Sequence, residues 1–118
     1  YALYFEDARE AFGEKFGLAY MTIADNGCFA PLVDLSFQYL RPIRYGMKCR
    51  VDIIYRPTEA AKIVFDYEIH SSADDELMAK GHSVQAFMDK QYRLMWYRPD
   101  FYAAWQTRWD VFNNSKQQ

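Results

Sequence analysis

The chain has 118 residues, the length of one compact domain. Hydrophobic residues make up 51% and aromatic residues 19% of it, which excludes intrinsic disorder. The 14 basic and 16 acidic side chains are mixed along the sequence, so it lacks the basic stripe typical of nucleic-acid binders. No stretch has the ~20 uninterrupted apolar residues of a membrane span, because Asp34 and Gln38 interrupt the nearest candidate, Gly27–Leu40.

The first predicted element is a helix over Tyr1–Phe16. Apolar residues recur every three or four positions on one face of it, namely Tyr1, Phe5, Ala8, Phe12 and Phe16. Leu3 and Tyr4 widen the apolar coverage, which is typical of a helix buried on several sides. Gly17 is expected to end this helix.

Four strands are predicted after a connection that carries the turn signal Asp25-Asn26-Gly27. Apolar and polar side chains alternate with a period of two in four segments, Val33–Tyr39, Cys49–Tyr55, Lys62–His70 and Leu77–Lys90. Hairpin-like connections between consecutive strands predict an antiparallel sheet. A second helix, Asp100–Phe112, is expected to follow Pro99.

These elements predict an α+β domain over residues 1–112, followed by a polar tail over 113–118. The two cysteines, Cys28 and Cys49, form no CxxC pair, which favours two small core residues in a reducing compartment such as the cytoplasm. A disulfide between them is the alternative.

Two segments resemble the 4-hydroxybenzoyl-CoA thioesterase family, which includes the acyl-CoA thioesterases associated with the Tol-Pal system. The opening Tyr-Ala-Leu-Tyr-Phe-Glu-Asp-Ala-Arg-Glu (1–10) is similar to the start of that family's central helix. The segment 33–46, which contains Tyr-Leu-Arg-Pro-Ile-Arg-Tyr-Gly, is similar to a strand and turn of the same family. The resemblance covers about residues 1–90.

This resemblance implies a hotdog fold, in which an antiparallel sheet wraps round the central helix. It also implies a homodimer, or a dimer of dimers, with active sites at the subunit interface. The implied reaction is hydrolysis of an acyl-CoA thioester to a free acid and CoA, without a metal or redox cofactor. The family's catalytic aspartate lies in a loop before the position of Tyr1, so we expect it upstream of the present sequence.

The resemblance and the charge pattern give five candidate site residues. Tyr1 aligns with a tyrosine at the mouth of the family's site, and an aromatic contact at the helix start is its structural alternative. Glu6 is a candidate for a catalytic carboxylate, because a related branch uses a carboxylate on this helix, and a solvated helix charge or a pair with Arg9 is its structural alternative. Arg41, Arg44 and Lys48 are candidates for binding the CoA phosphates, with solvation of a charged turn as the alternative.

Two further groups are expected to be structural. His70 and His82 make no metal motif, and we expect them to be hydrogen-bonded or on the outer face of the sheet. Core or interface packing is favoured over an acyl tunnel for the methionines and the aromatic residues near the C-terminus, Met78, Met88, Met95, Trp96, Tyr97, Phe101, Tyr102 and Trp105. The aromatic run from Tyr92 to Trp109 is a candidate cap for the acyl pocket.

The leading hypothesis is therefore an acyl-CoA thioesterase. An acyl-carrier-protein thioesterase is the rival enzyme, and a hotdog domain that binds acyl-CoA without cleaving it is the non-enzymatic alternative.

Overall fold

The structure, a computed structural model, describes residues 2–116, and it describes the side chains of residues 4–110. In chain order the elements are α1 (Ala2–Phe16), α2 (Tyr20–Asp25), β1 (Cys28–Phe29), β2 (Leu32–Tyr39), β3 (Cys49–Arg56), β4 (Lys62–Ser71), β5 (Leu77–Ala86), β6 (Met88–Asp89) and α3 (Asp100–Lys116). This confirms the predicted α+β class. None of the helices within the described residues is long and apolar enough to cross a membrane.

The helix α1 ends at the predicted glycine. Gly17 has a φ of +85°, a left-handed conformation that residues with a Cβ rarely adopt. The amides of Gly17 and Leu18 both donate to the carbonyl oxygen of Gly13 at 2.9 Å, which satisfies the end of the helix. The chain therefore turns back sharply, and Leu18 packs into the core.

The four long strands form one antiparallel sheet in the order β2-β5-β4-β3. The pairs β3–β4 and β4–β5 are hairpins, as predicted. The prediction of a hairpin between β2 and β3 is wrong. Instead β2 pairs with β5, and the nine residues 40–48 carry the chain from one edge of the sheet to the other. Connections of that length do not require the two strands to be neighbours, because they can span several strands.

The predicted strand Leu77–Lys90 is interrupted at Phe87. Ala86 and Phe87 are consecutive and both buried, which breaks the alternation of a flat strand. The amide of Ala86 donates to Pro31, whereas that of Phe87 donates to Ala61 on the opposite side. Beyond this point β6 pairs with β1 in a second, two-stranded sheet.

The core lies between α1 and the inner face of the large sheet. Phe5 of α1 is fully buried and stacks on Phe37, and its ring also lies 4.5 Å from that of Tyr67. Alternate residues of β4 point into this core, and all four are at most 3% exposed: Ile63, Phe65, Tyr67 and Ile69. The outward residues of the same strand are polar or partly exposed, as the period of two predicts.

The C-terminal helix α3 packs against the end of α1 and is longer than predicted. Its backbone continues to Lys116, so residues 113–116 are helical rather than part of a polar tail. Tyr102 and Trp105 are buried in the same core as α1, which confirms their predicted packing role. Both cysteines are free, and Cys28 is buried, which raises the pKa of its thiol.

Candidate active site

A groove of about 870 Å³ runs alongside α1, between that helix and the chain that enters β2. Its floor and inner walls consist of buried apolar side chains, Phe12, Leu18, Ile23, Ile63 and Phe65. Exposed aromatic and aliphatic side chains form part of the rim opposite α1, among them Leu32 and Tyr92. Such a concave site with an apolar floor suits the burial of a small apolar ligand.

Carboxylates of α1 form the polar rim of this groove. Glu6 and Glu10 are four residues apart, so both lie on the same side of the helix, and both line the groove while remaining exposed. The structure thus places the predicted candidate Glu6 at a site with space for a ligand. Glu10 was not predicted as a site residue, although its spacing from Glu6 could have indicated it. A carboxylate can attack a thioester carbonyl or deprotonate water.

Arg9 lies between these two carboxylates in sequence and ties α1 to the sheet. Its guanidinium donates to the Tyr67 hydroxyl at 3.1 Å, and that hydroxyl shares a 2.6 Å hydrogen bond with Ser83. Burial raises the pKa of Tyr67, and its hydrogen bonds with Ser83 and Arg9 offset this only in part. Tyr67 therefore stays neutral. Its hydroxyl is held by Ser83 and in turn holds Arg9 in position on the groove wall. Sequence patterns could not reveal this network, because Arg9 and Tyr67 are 58 residues apart.

Hydrogen bonds to β5 hold the opposite wall of the groove. The side-chain amide of Gln85 donates to the carbonyl oxygen of Ala30 at 2.8 Å. The amide of Ala86 donates to the carbonyl oxygen of Pro31 at 3.1 Å. Ala30 and Pro31 both line the groove. The width of the groove is therefore set by α1 on one side and by this segment, held by β5, on the other.

The predicted phosphate-binding cations lie away from this groove within the subunit. Arg41, Arg44 and Lys48 are exposed on the connection that follows the last residue of β2, whereas the groove touches the first residue of that strand, Leu32. Arg41 pairs with Glu76 at 2.5 Å. Their role in binding CoA stays a prediction. Tyr1 lies outside the described residues, so its predicted contact also stays a prediction.

Both histidines lie on the outer face of the sheet, one of the two placements expected for them. The imidazole of His82 is 2.7 Å from the Asp66 carboxylate, which also accepts a 2.7 Å bond from Arg56. Burial acts to raise the pKa of Asp66, but the bonds with His82 and Arg56 together outweigh it, so that pKa lies below its ordinary value.

The other histidine, His70, has acidic neighbours on the same face. Potential ligand atoms of Asp52, Glu68 and His70 lie within 4.8 Å of one another. Arg50 already pairs with Asp52 at 3.0 Å, and clusters of exposed acidic side chains are common without a metal ion. We therefore assign no metal site to this cluster.

Comparison with known proteins identifies the family. The model of the thioesterase-like superfamily matches residues 1–106, most of the chain. The chain belongs to the thioesterase-like superfamily. A solved structure of this kind, the DHNA-CoA thioesterase of Staphylococcus aureus, is 25% identical and superposes with a TM-score of 0.78 over 98% of the chain and 79% of its own length. The hotdog fold implied by the resemblance is thereby confirmed, and the chain is a member of a family of thioester hydrolases.

Two curated relatives are also thioesterases by name. A Bacillus subtilis protein, provisionally assigned as an acyl-CoA thioesterase, is 27% identical over 110 residues, which are 90% of the chain and 79% of the relative. The chloroplastic acyl-acyl carrier protein thioesterase of Arabidopsis thaliana is 29% identical over 93 residues, or 79% of the chain. The chain spans 49% of the length of the plant protein.

Proposed function

We propose that this protein is an acyl-CoA thioesterase that hydrolyses its substrate in the groove beside α1. The observation that carries the proposal is the groove itself, which combines a buried apolar floor with carboxylates on the adjoining helix. The apolar floor suits the acyl group, and the carboxylates supply the chemistry that a thioester requires. The likeness to the acyl-CoA and DHNA-CoA thioesterases named above supports the same reaction.

The proposed reaction needs only a carboxylate, a water molecule and hydrogen-bond donors. The carboxylate either removes a proton from the water molecule that attacks the thioester carbonyl, or attacks that carbonyl itself to form a mixed anhydride, which water then hydrolyses to the free acid. A C–O bond forms, the C–S bond breaks, and CoA leaves as a thiolate that takes up a proton. Backbone amides at the start of α1 are suited to stabilise the oxyanion, since the N-terminus of a helix favours negative charge. No metal or redox cofactor takes part.

Two sources of the catalytic carboxylate are compatible with this proposal. The resemblance favours an aspartate upstream of Tyr1. The structure adds Glu6, Glu10 and Glu14, because all three line the groove. We further propose that the enzyme is of the 4-hydroxybenzoyl-CoA type. The sequence resemblance supports this, as does the likeness to the DHNA-CoA thioesterase, whose named substrate is also an aromatic acyl-CoA.

An acyl-carrier-protein thioesterase is the second candidate, favoured by the similarity to the plant enzyme. In either case we propose a homodimer, or a dimer of dimers, located in the cytoplasm. The dimer is supported by β2, which within the described residues pairs on one side only and exposes Val33 and Tyr39 by more than half. A cytoplasmic location agrees with the two free cysteines.

The first experiment measures release of free CoA thiol from straight-chain and aromatic acyl-CoAs by the full-length protein. The variants are Glu6→Gln, Glu10→Gln, Glu14→Gln and Asp→Asn at the predicted upstream aspartate, with Glu68→Gln on the outer sheet face as control. We expect one of the four to lower kcat by about a hundredfold or more, because carboxylate catalysis typically contributes 10²–10⁴-fold. The control is expected to match the wild type.

Absence of thiol release from every acyl-CoA would contradict the proposal. The same panel presented on an acyl carrier protein then distinguishes the second candidate enzyme from a domain that binds without cleaving.

A further inference from the structure

We propose that the ring of Phe12, backed by tryptophans of α3, closes the groove on one side and sets the longest acyl chain that it accepts. This inference rests on the proposed function, since it assigns the specificity of the same site. It names a specificity-determining residue inside the subunit.

Phe12 forms the wall of the groove where it faces α3. Its side chain lines the groove yet is only 5% exposed, so the ring belongs to the wall rather than the rim. Phe65 supports it from the sheet, with ring centroids 4.9 Å apart and the planes nearly perpendicular at 71°. The barrier at this point is therefore a single layer of two aromatic rings.

The layer behind Phe12 contains rings from α3, beside Phe16 of α1 at 4.7 Å and Tyr55 of β3 at 6.1 Å between ring centroids. The centroid of Phe12 lies 5.4 Å from Trp109 and 6.2 Å from Trp105, and the two tryptophans stack on each other at 5.5 Å. Neither tryptophan lines the groove. Removing the Phe12 ring would therefore join the groove to space bounded by the tryptophans, whereas removing a tryptophan leaves the first layer in place.

Hydrogen bonds prevent α3 from yielding to a longer ligand. The indole N–H of Trp105 donates to the carbonyl oxygen of Phe16 at 2.6 Å, which ties α3 to the last residue of α1. The buried amide of Gln106 donates to the Tyr55 hydroxyl at 2.9 Å and to the carbonyl oxygen of Thr58 at 2.8 Å. Moving α3 would leave these buried polar groups without partners, which is unfavourable.

A fixed wall predicts a sharp limit on chain length. Each methylene buried in the groove adds about 0.8 kcal/mol, or roughly fourfold in affinity, until the chain reaches Phe12. Further methylenes then gain nothing or are excluded. Replacing Phe12 by alanine removes a phenyl ring, which frees space for about four methylenes if the site does not collapse.

The test compares Phe12→Ala and the milder Phe12→Leu with the matched variant Phe87→Ala. Phe87 is also fully buried, but it contacts Phe101 and Tyr102 and does not line the groove. Thermal unfolding shows which variants are folded. If Phe12→Ala is not folded, Phe12→Leu provides the test. Two quantities are measured over a series from butanoyl to palmitoyl chains: kcat/KM for the acyl-CoAs, and Kd for the free fatty acids by displacement of a fluorescent fatty acid.

We expect the preferred chain length to increase by about two to four carbons in Phe12→Ala and by about one carbon in Phe12→Leu, with at least a tenfold gain in kcat/KM of the alanine variant for the chain just beyond the wild-type limit. Phe87→Ala should keep the wild-type profile. An unchanged profile in a folded Phe12 variant overturns the inference and leaves the proposed function intact. A shifted fatty-acid profile without hydrolysis supports the inference and contradicts the proposed function. Absence of both binding and hydrolysis overturns both.

Discussion

At the scale of single residues, Gly81 allows the closest approach between α1 and the sheet. A Cβ at this position would lie 2.6 Å from the Cε2 atom of Phe5, closer than side-chain carbons tolerate. Phe5 is fully buried and lies between Phe37 and Tyr67, so its ring has little room to move. The absence of a side chain at Gly81 therefore helps to set the position of α1, and with it the polar rim of the groove.

We predict that Gly81→Ala destabilises the protein by about 1–3 kcal/mol, the usual cost of overpacking a close-packed core. Urea unfolding measures this, with Lys80→Ala on the exposed face of the same strand as control. A Gly81→Ala variant as stable as that control would show that Phe5 can move aside and that the approach is not tight.

Residue patterns in the sequence could predict only part of the candidate site. Glu6 could be predicted from the helical period and the family resemblance, because both depend on local spacing. The Arg9–Tyr67–Ser83 network was not, because it joins residues from three elements across the core. Likewise, Phe12 was predicted as a core residue, and its place in the groove wall depends on the positions of β4 and α3.

At the scale of elements, the sequence predicted the long helices and strands but not how the strands pair. A period of two or of about 3.6 residues is a local signal, and β2, β3 and β4 each differ from prediction by one residue at one end, while α1 agrees over the described residues 2–16. The two-residue strands β1 and β6 are too short to show any period. The path of the connection 40–48 decides whether β3 lies beside β2, and no local pattern specifies that path.

The strand β2 is the element that we expect to form the dimer. Within the described residues it pairs only with β5, so its other edge offers backbone groups to a second strand. We predict that light scattering of the protein gives at least twice the monomer mass. We expect Val33→Lys to lower the dimeric fraction, because charge at an edge disfavours strand pairing. Tyr97→Lys, an exposed aromatic position outside any strand, serves as control. A monomer under all conditions would contradict the dimer proposal.

At the scale of the whole molecule, comparison with known proteins shows the family and the fold. Family membership follows from a match over residues 1–106, and the hotdog fold follows from the superposition on a known thioesterase. The substrate depends on the shape of one groove, whose floor comes from α1, the segment after it and β4. Related enzymes can share the fold while differing in that groove, so the groove rather than the fold determines the substrate.

The most direct test of this claim is to fill the groove. Ala30 lines it opposite α1, so we expect Ala30→Trp to occupy the space of the acyl group. Ala104→Trp, at an exposed position of α3 that does not line the groove, is the matched control. For a straight-chain acyl-CoA that the wild type hydrolyses, we predict that kcat/KM falls by at least about tenfold in Ala30→Trp, a loss of about 1.4 kcal/mol of transition-state stabilisation, and stays at the wild-type value in Ala104→Trp. A folded Ala30→Trp variant with wild-type kcat/KM would contradict the account, because hydrolysis would then take place outside the groove.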